Sequence, residues 1–76
     1  MTPLDARVAD AHDALDHAIR MLWQAQADVL DSTARRDAPC AAIDAASISV
    51  SRDAIDAARA ELDAALDARR AAAEAA

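Results

Sequence analysis

Apolar residues recur along the first half of the chain at alternating steps of three and four: Leu4, Val8, Ala11, Leu15, Ala18, Leu22, Ala25 and Val29. Residues three and four apart lie one above another on an α-helix, so this spacing keeps one stripe on one side. It predicts a helix over about residues 3–34. Thr2 and Pro3 fit its entry, the hydroxyl as a cap and the ring at the first helical position, and Asp5 stands where a capping-box acid reaches back. Arg35 and Arg36 follow, where positive charge favours a helix C-terminus.

The stretch from Asp31 to Cys40 interrupts the pattern. Ser32, Thr33 and Asp37 can bond locally to the backbone, and Pro39 cannot continue a helix begun upstream. Ala38, before the proline, is biased away from helical dihedrals. A break over about residues 35–39 follows, with Pro39 opening a second helix that runs to about residue 72. Its stripe is Ile48, Ser51, Ile55, Ala58, Leu62, Ala65 and Arg69, at the same spacing, and Arg69 and Arg70 suit its C-terminal end. Ser47 to Ser51 alternate weak helix formers, which could kink or recap the helix. A strand there would need a partner strand, and the chain offers none, so a continuous helix is expected. The closing Ala-Ala-Ala-Glu-Ala-Ala is expected to fray. The predicted fold class is all-α: a single-domain antiparallel helical hairpin with alanine-rich heptad seams.

Around the first helix, Leu15, Ala18, Leu22 and Val29 project to the centre of the apolar arc. Ile19, Trp23 and Leu30 widen it on one side, and Ala14 and Met21 on the other. The arc covers roughly 200°, about twice what one neighbouring helix requires. The second helix has a comparable surplus, with Val50, Ala54, Ala57, Ala64 and Ala68 beside its stripe. Each helix therefore has apolar surface for two neighbours, and a hairpin supplies one. Dimerisation into a four-helix bundle is the economical solution. The expected interface, to a second copy or to another protein, comprises Leu15, Ile19, Leu22, Trp23 and Leu30, then Ile48, Ile55, Leu62 and Leu66. Alanines at every seventh position (Ala11, Ala18, Ala25, and Ala58, Ala65) predict closest approach of the two helices along them. The plan resembles that of small dimeric helical-hairpin bundles such as the plasmid RNA-binding regulators. That likeness is architectural and rests on no shared motif. The basic RNA-facing positions of that family are not evident, so it implies no activity.

Composition sharpens this picture. Of 76 residues, 25 are Ala and none is Gly, which favours helix. Only 13 are Leu, Ile or Val and none is Phe, so the core is thin. A chain of this length is near the limit for a lone core, which again favours self-association or folding onto a partner. All 8 basic residues are Arg, and 12 Asp stand against 2 Glu, a bias that points to a GC-rich bacterial or phage genome. The net charge of −6 disfavours nucleic acid and anionic membranes as partners. No apolar run approaches the ~20 residues of a membrane span. The opening residues lack the basic and apolar regions of a signal peptide, so a cytoplasmic location is expected. Cys40 is the single cysteine, which excludes an internal disulfide.

Candidate chemistry is sparse. His12 and His17 point to different sides of one helix and pair only with Asp16 and Asp13. A metal or ligand held between such pairs in a bundle is a third reading, without the glutamates of di-iron bundles. Cys40 near a helix N-terminus is where a thiol pKa can fall, but it has no second cysteine or adjacent base. Without Gly there is no phosphate-cradling loop. The expected function is a non-catalytic protein–protein interaction or assembly module, without cofactor, acting through its helix faces as a homo-oligomer. The alternative is an acidic regulatory binder, of the antitoxin, anti-repressor or phage-inhibitor kind, that masks a basic surface on its target.

Overall fold

A computed structural model describes residues 2–75, which form two helices, α1 (Pro3–Ala34) and α2 (Ala38–Ala75), folded back on each other as a hairpin. The Cα envelope measures 60 × 18 × 12 Å, a rod two helices wide and one deep. Thr2 caps α1 as its sequence predicts. The Thr2 hydroxyl accepts the Asp5 N–H at 3.1 Å, and the Asp5 carboxylate accepts the Thr2 N–H at 3.4 Å and its hydroxyl at 2.9 Å. Two otherwise unpaired first-turn donors are thereby satisfied reciprocally.

The turn is tight and needs no glycine. Arg35 closes α1 with helical dihedrals, and Arg36 then adopts φ 57°, in the left-handed region. The Arg36 N–H donates to the Thr33 carbonyl at 3.0 Å and the Asp37 N–H to the Ser32 carbonyl at 2.9 Å. These are the two hydrogen bonds of a Schellman motif, which usually places glycine where Arg36 stands. Arg35 and Arg36 therefore lie just beyond the last turn rather than within it. Asp37 then caps α2, accepting the Cys40 N–H on Oδ1 at 3.2 Å. The helix accordingly begins at Ala38, one residue before Pro39, whose missing N–H costs nothing in a first turn. It continues to Ala75, past the expected end near residue 72, so Arg69 and Arg70 sit more than a turn inside it. Ala76, in the tail expected to fray, lies outside the described residues.

The Ser-Ile-Ser-Val-Ser segment is continuous helix. Its hydroxyls bond within the helix instead of competing with it: Ser47 donates to the Ile43 carbonyl at 3.2 Å and Ser51 to the Ser47 carbonyl at 2.8 Å. Back-bonding of this kind lets Ser51 be buried without an unpaired polar group.

The line of closest contact is made of small residues. On α1 it runs through Ala11, Ala18, Ala25 and Ser32, and on α2 through Ser51, Ala58 and Ala65, all buried. Val8, Ile55 and Leu62 close it on the side where Leu15 and Leu66 pack. Leu15, Leu22 and Val29, projected at the centre of the arc, are only half-buried. The centre lies instead on the alanines, because small side chains let the backbones approach and push larger ones to the flanks. Ser32 donates across to the Asp44 carboxylate at 2.6 Å, which satisfies the most buried hydroxyl of α1 where the helices enter the turn. Arg7 grips Glu61 through two N–H···O bonds at 2.8 and 3.3 Å, and Arg69 approaches Asp5 at 3.6 Å, pinning the open end. These pairs are half-exposed and solvent-screened, so they stabilise the fold little.

Two stability measurements test this account. Arg36→Gly should raise the unfolding free energy by about 1 kcal/mol, because the left-handed conformation penalises any Cβ; an unchanged or lower urea midpoint would refute it. Ala18→Leu should lower it by about 1–3 kcal/mol, since the seam has no room for three added carbons.

Candidate interaction surface

The seam divides the remaining apolar surface into two long faces. At ~100° per residue, Leu15, Ile19, Leu22, Trp23 and Leu30 turn to one side of α1, and Ile48, Ile55, Leu62 and Leu66 to the same side of α2. The structure treats these nine positions unequally. Ile55 and Leu62 are 8% and 9% exposed and belong to the hairpin's own core. Leu15, Ile19, Leu22, Ile48 and Leu66 are half-buried. Trp23 and Leu30 stand out, 65% and 73% exposed. One face thus carries a continuous strip of large apolar side chains that the hairpin covers only in part.

The opposite face is narrower. Met21, Ile43 and Val50 are exposed and line a shallow groove of about 520 Å³ between the helices, floored by Ala25 and Ser51 and edged by Asp28. Ile43 was not among the predicted interface positions. Its signal was present: seven residues before Val50, it falls on the same line of the helix, beside rather than within the stripe.

Charge around the turn runs against the expectation for Cys40. A thiol at a helix N-terminus is ordinarily made more acidic by the helix dipole. Here the Asp37 carboxylate that caps the helix takes a hydrogen bond from the thiol and repels a thiolate, which pushes the Cys40 pKa up. The same contact, with the Cys40 backbone N–H, holds Asp37 below its ordinary value. Asp5 is lowered by the Thr2 hydroxyl and backbone N–H and by Arg69, and Glu61 by Arg7. Arg52 with Asp56 and Arg59 with Asp63 stand at i, i+4 on α2, but neither pair is closed among the described residues. The ion pairs found are Arg7–Glu61, Arg69–Asp5, Arg35–Asp31 and Arg70–Asp67. Among those residues no three His, Cys, Asp or Glu side chains converge as metal ligands, and His12 and His17 remain apart. No helix is long and apolar enough to cross a membrane.

These features define an antiparallel two-helix hairpin with one broad apolar face left uncovered. No protein-family model, curated protein or solved structure matches the chain.

The cap chemistry gives a signed pH dependence. Asp5, Asp37 and Glu61 are all held below their ordinary carboxylate values in the folded state. Their contribution is therefore complete above the ordinary, unfolded-state values and is lost as pH falls below them through the lower folded-state values. Melting temperature should drop below about pH 4, and Asp37→Asn, whose side chain does not titrate, should reduce that drop. An acid response identical to that of the unsubstituted chain would contradict the role given to Asp37.

Proposed function

We propose that this chain is a cytoplasmic protein–protein interaction or assembly module, with no catalytic role, whose working surface is the Leu/Trp face. One observation carries the reading: Trp23 and Leu30, among the largest apolar side chains of α1, lie 65% and 73% exposed on a strip already rich in half-buried Leu and Ile. An apolar strip of this length on a small domain is costly to leave wet and marks an interaction site. Tryptophan, here at the outer edge of the strip, is the side chain that most often dominates such interfaces. A helical occupant fits best, because the strip is straight and runs along both helices.

The acidic character supports a second reading, in which the chain masks a basic surface on its target; net charge is −6. That reading requires partner binding that weakens steeply with salt. Apolar docking is far less salt-sensitive, which separates the two.

Trp23 is the only tryptophan and reports directly on the face. Raising the concentration through the micromolar range should shift its emission to the blue, protect it from acrylamide, and increase the sedimenting mass above 7.9 kDa. Leu30→Asp should abolish all three changes while leaving helicity intact. Trp23 that stays fully quenchable at every concentration, in a monomer, would overturn self-assembly through this face.

A further inference from the structure

The two long edges of the Leu/Trp face carry opposite charge. At ~100° per residue, Asp5, His12, Asp16 and Trp23 fall on the outer edge of α1, and Arg52, Arg59, Asp63 and Arg70 on that of α2. The hairpin also sets which positions stand at one height. Ala11 packs with Ala65 in one cluster, and Ser32 bonds to Asp44 at 2.6 Å. Stepping seven residues along each helix between those contacts places Ala18 level with Ala58 and Ala25 level with Ser51. Carried to the outer edges, this register sets Asp5 level with Arg70, His12 with Asp63, Asp16 with Arg59, and Trp23 with Arg52. Each match holds to within about one turn, or 5.4 Å of helical rise, a span that Arg and Asp side chains can bridge.

Resting on the proposed interaction role of this face, we infer that its occupant is a second copy of the chain, related by a two-fold axis parallel to the helices. Each α1 then lies antiparallel against α2 of the other copy, and both turns sit at the same end of a four-helix bundle. Rotation about that axis leaves heights unchanged, so the acidic edge of each copy meets the basic edge of the other at matching levels. Asp16 faces Arg59 of the second copy, His12 faces Asp63, and Trp23 lies against Arg52, a cation–π pairing. The interface is isologous, so every pair occurs twice.

Three observations favour this arrangement. The alternative face-to-face two-fold, perpendicular to the helices, stacks α1 on α1 and α2 on α2, crowding arginine edge against arginine edge and aspartate against aspartate. Among the described residues, Asp16, His12, Arg52, Arg59 and Asp63 take part in none of the hairpin's own ion pairs. Asp5 and Arg70 do have partners within the chain, Arg69 and Asp67, so their level becomes a shared four-charge cluster. Finally, a face within the 60 × 18 Å envelope offers on the order of 1,000 Å² per copy, inside the range of stable dimers.

Two measurements on the full chain test the inference. Asp16→Arg and Arg59→Asp should each raise the dimer dissociation constant about tenfold or more, and the double exchange should restore most of the loss. Exposed Cys40 is the only thiol, so a spin label there reports where the turns lie. Turns at one end predict a label separation of about 20–30 Å, set by the 8–10 Å helix spacing and the label arms. Turns at opposite ends predict more than ~40 Å, close to the length of α1. A dimer with the long separation, or a double exchange no better than either single one, overturns this arrangement while leaving the face as an interaction surface. A chain that stays monomeric overturns the second copy as occupant.

Discussion

The close approach of two backbones along a line of small side chains is the constraint on which everything else in this protein depends. Ala11, Ala18, Ala25 and Ser32 meet Ser51, Ala58 and Ala65, all of them buried. Side chains this small bring little apolar area to the core, but they let helices pack tightly and define one register. That register sets which charges can bridge at the open end and which hydroxyl must find Asp44 near the turn. It also makes Leu15, Leu22 and Val29 flank the contact rather than fill it. The uncovered face is thus a direct geometric consequence of the alanine seam: the nearer the helices come, the less of their larger residues they can hide between them.

The two helix junctions show how a glycine-free chain manages sharp reversals. The capping box at Thr2 and the Asp37 cap both use carboxylates whose ionised form is favoured by the donors around them. At the turn, Arg36 takes the left-handed conformation that glycine would adopt more cheaply. The Schellman hydrogen bonds and the Ser32–Asp44 bond on either side hold it there. The Asp37 cap has a chemical side effect: by raising the Cys40 pKa, it opposes the acidifying effect that a helix N-terminus ordinarily has on a thiol.

Charge in this molecule does two separable jobs. Pairs that cross the hairpin, Arg7 with Glu61 and Arg69 with Asp5, pin its open end with half-exposed bonds that stabilise little but disfavour slippage. The large acidic excess keeps an apolar, alanine-rich rod from associating at random. In the proposed dimer, strength and selectivity are separate, since burial supplies affinity while edge charges select orientation.

The stripe spacing, the cap residues and the proline were enough to read two helices and the place where they turn. These signals are local, and helix formation, capping and termination act over a few residues. The alanine heptad likewise announced the line of closest contact. What the linear pattern did not resolve was the division of labour among large apolar residues. Ile55 and Leu62 went into the hairpin's own core, whereas Trp23 and Leu30, apolar by the same count, were left outside. Ile43 joined a groove that its stripe did not indicate. Periodicity gives a residue's angle on its own helix. Burial depends also on where the neighbouring axis lies and how near it comes, and only the packed pair of helices decides that.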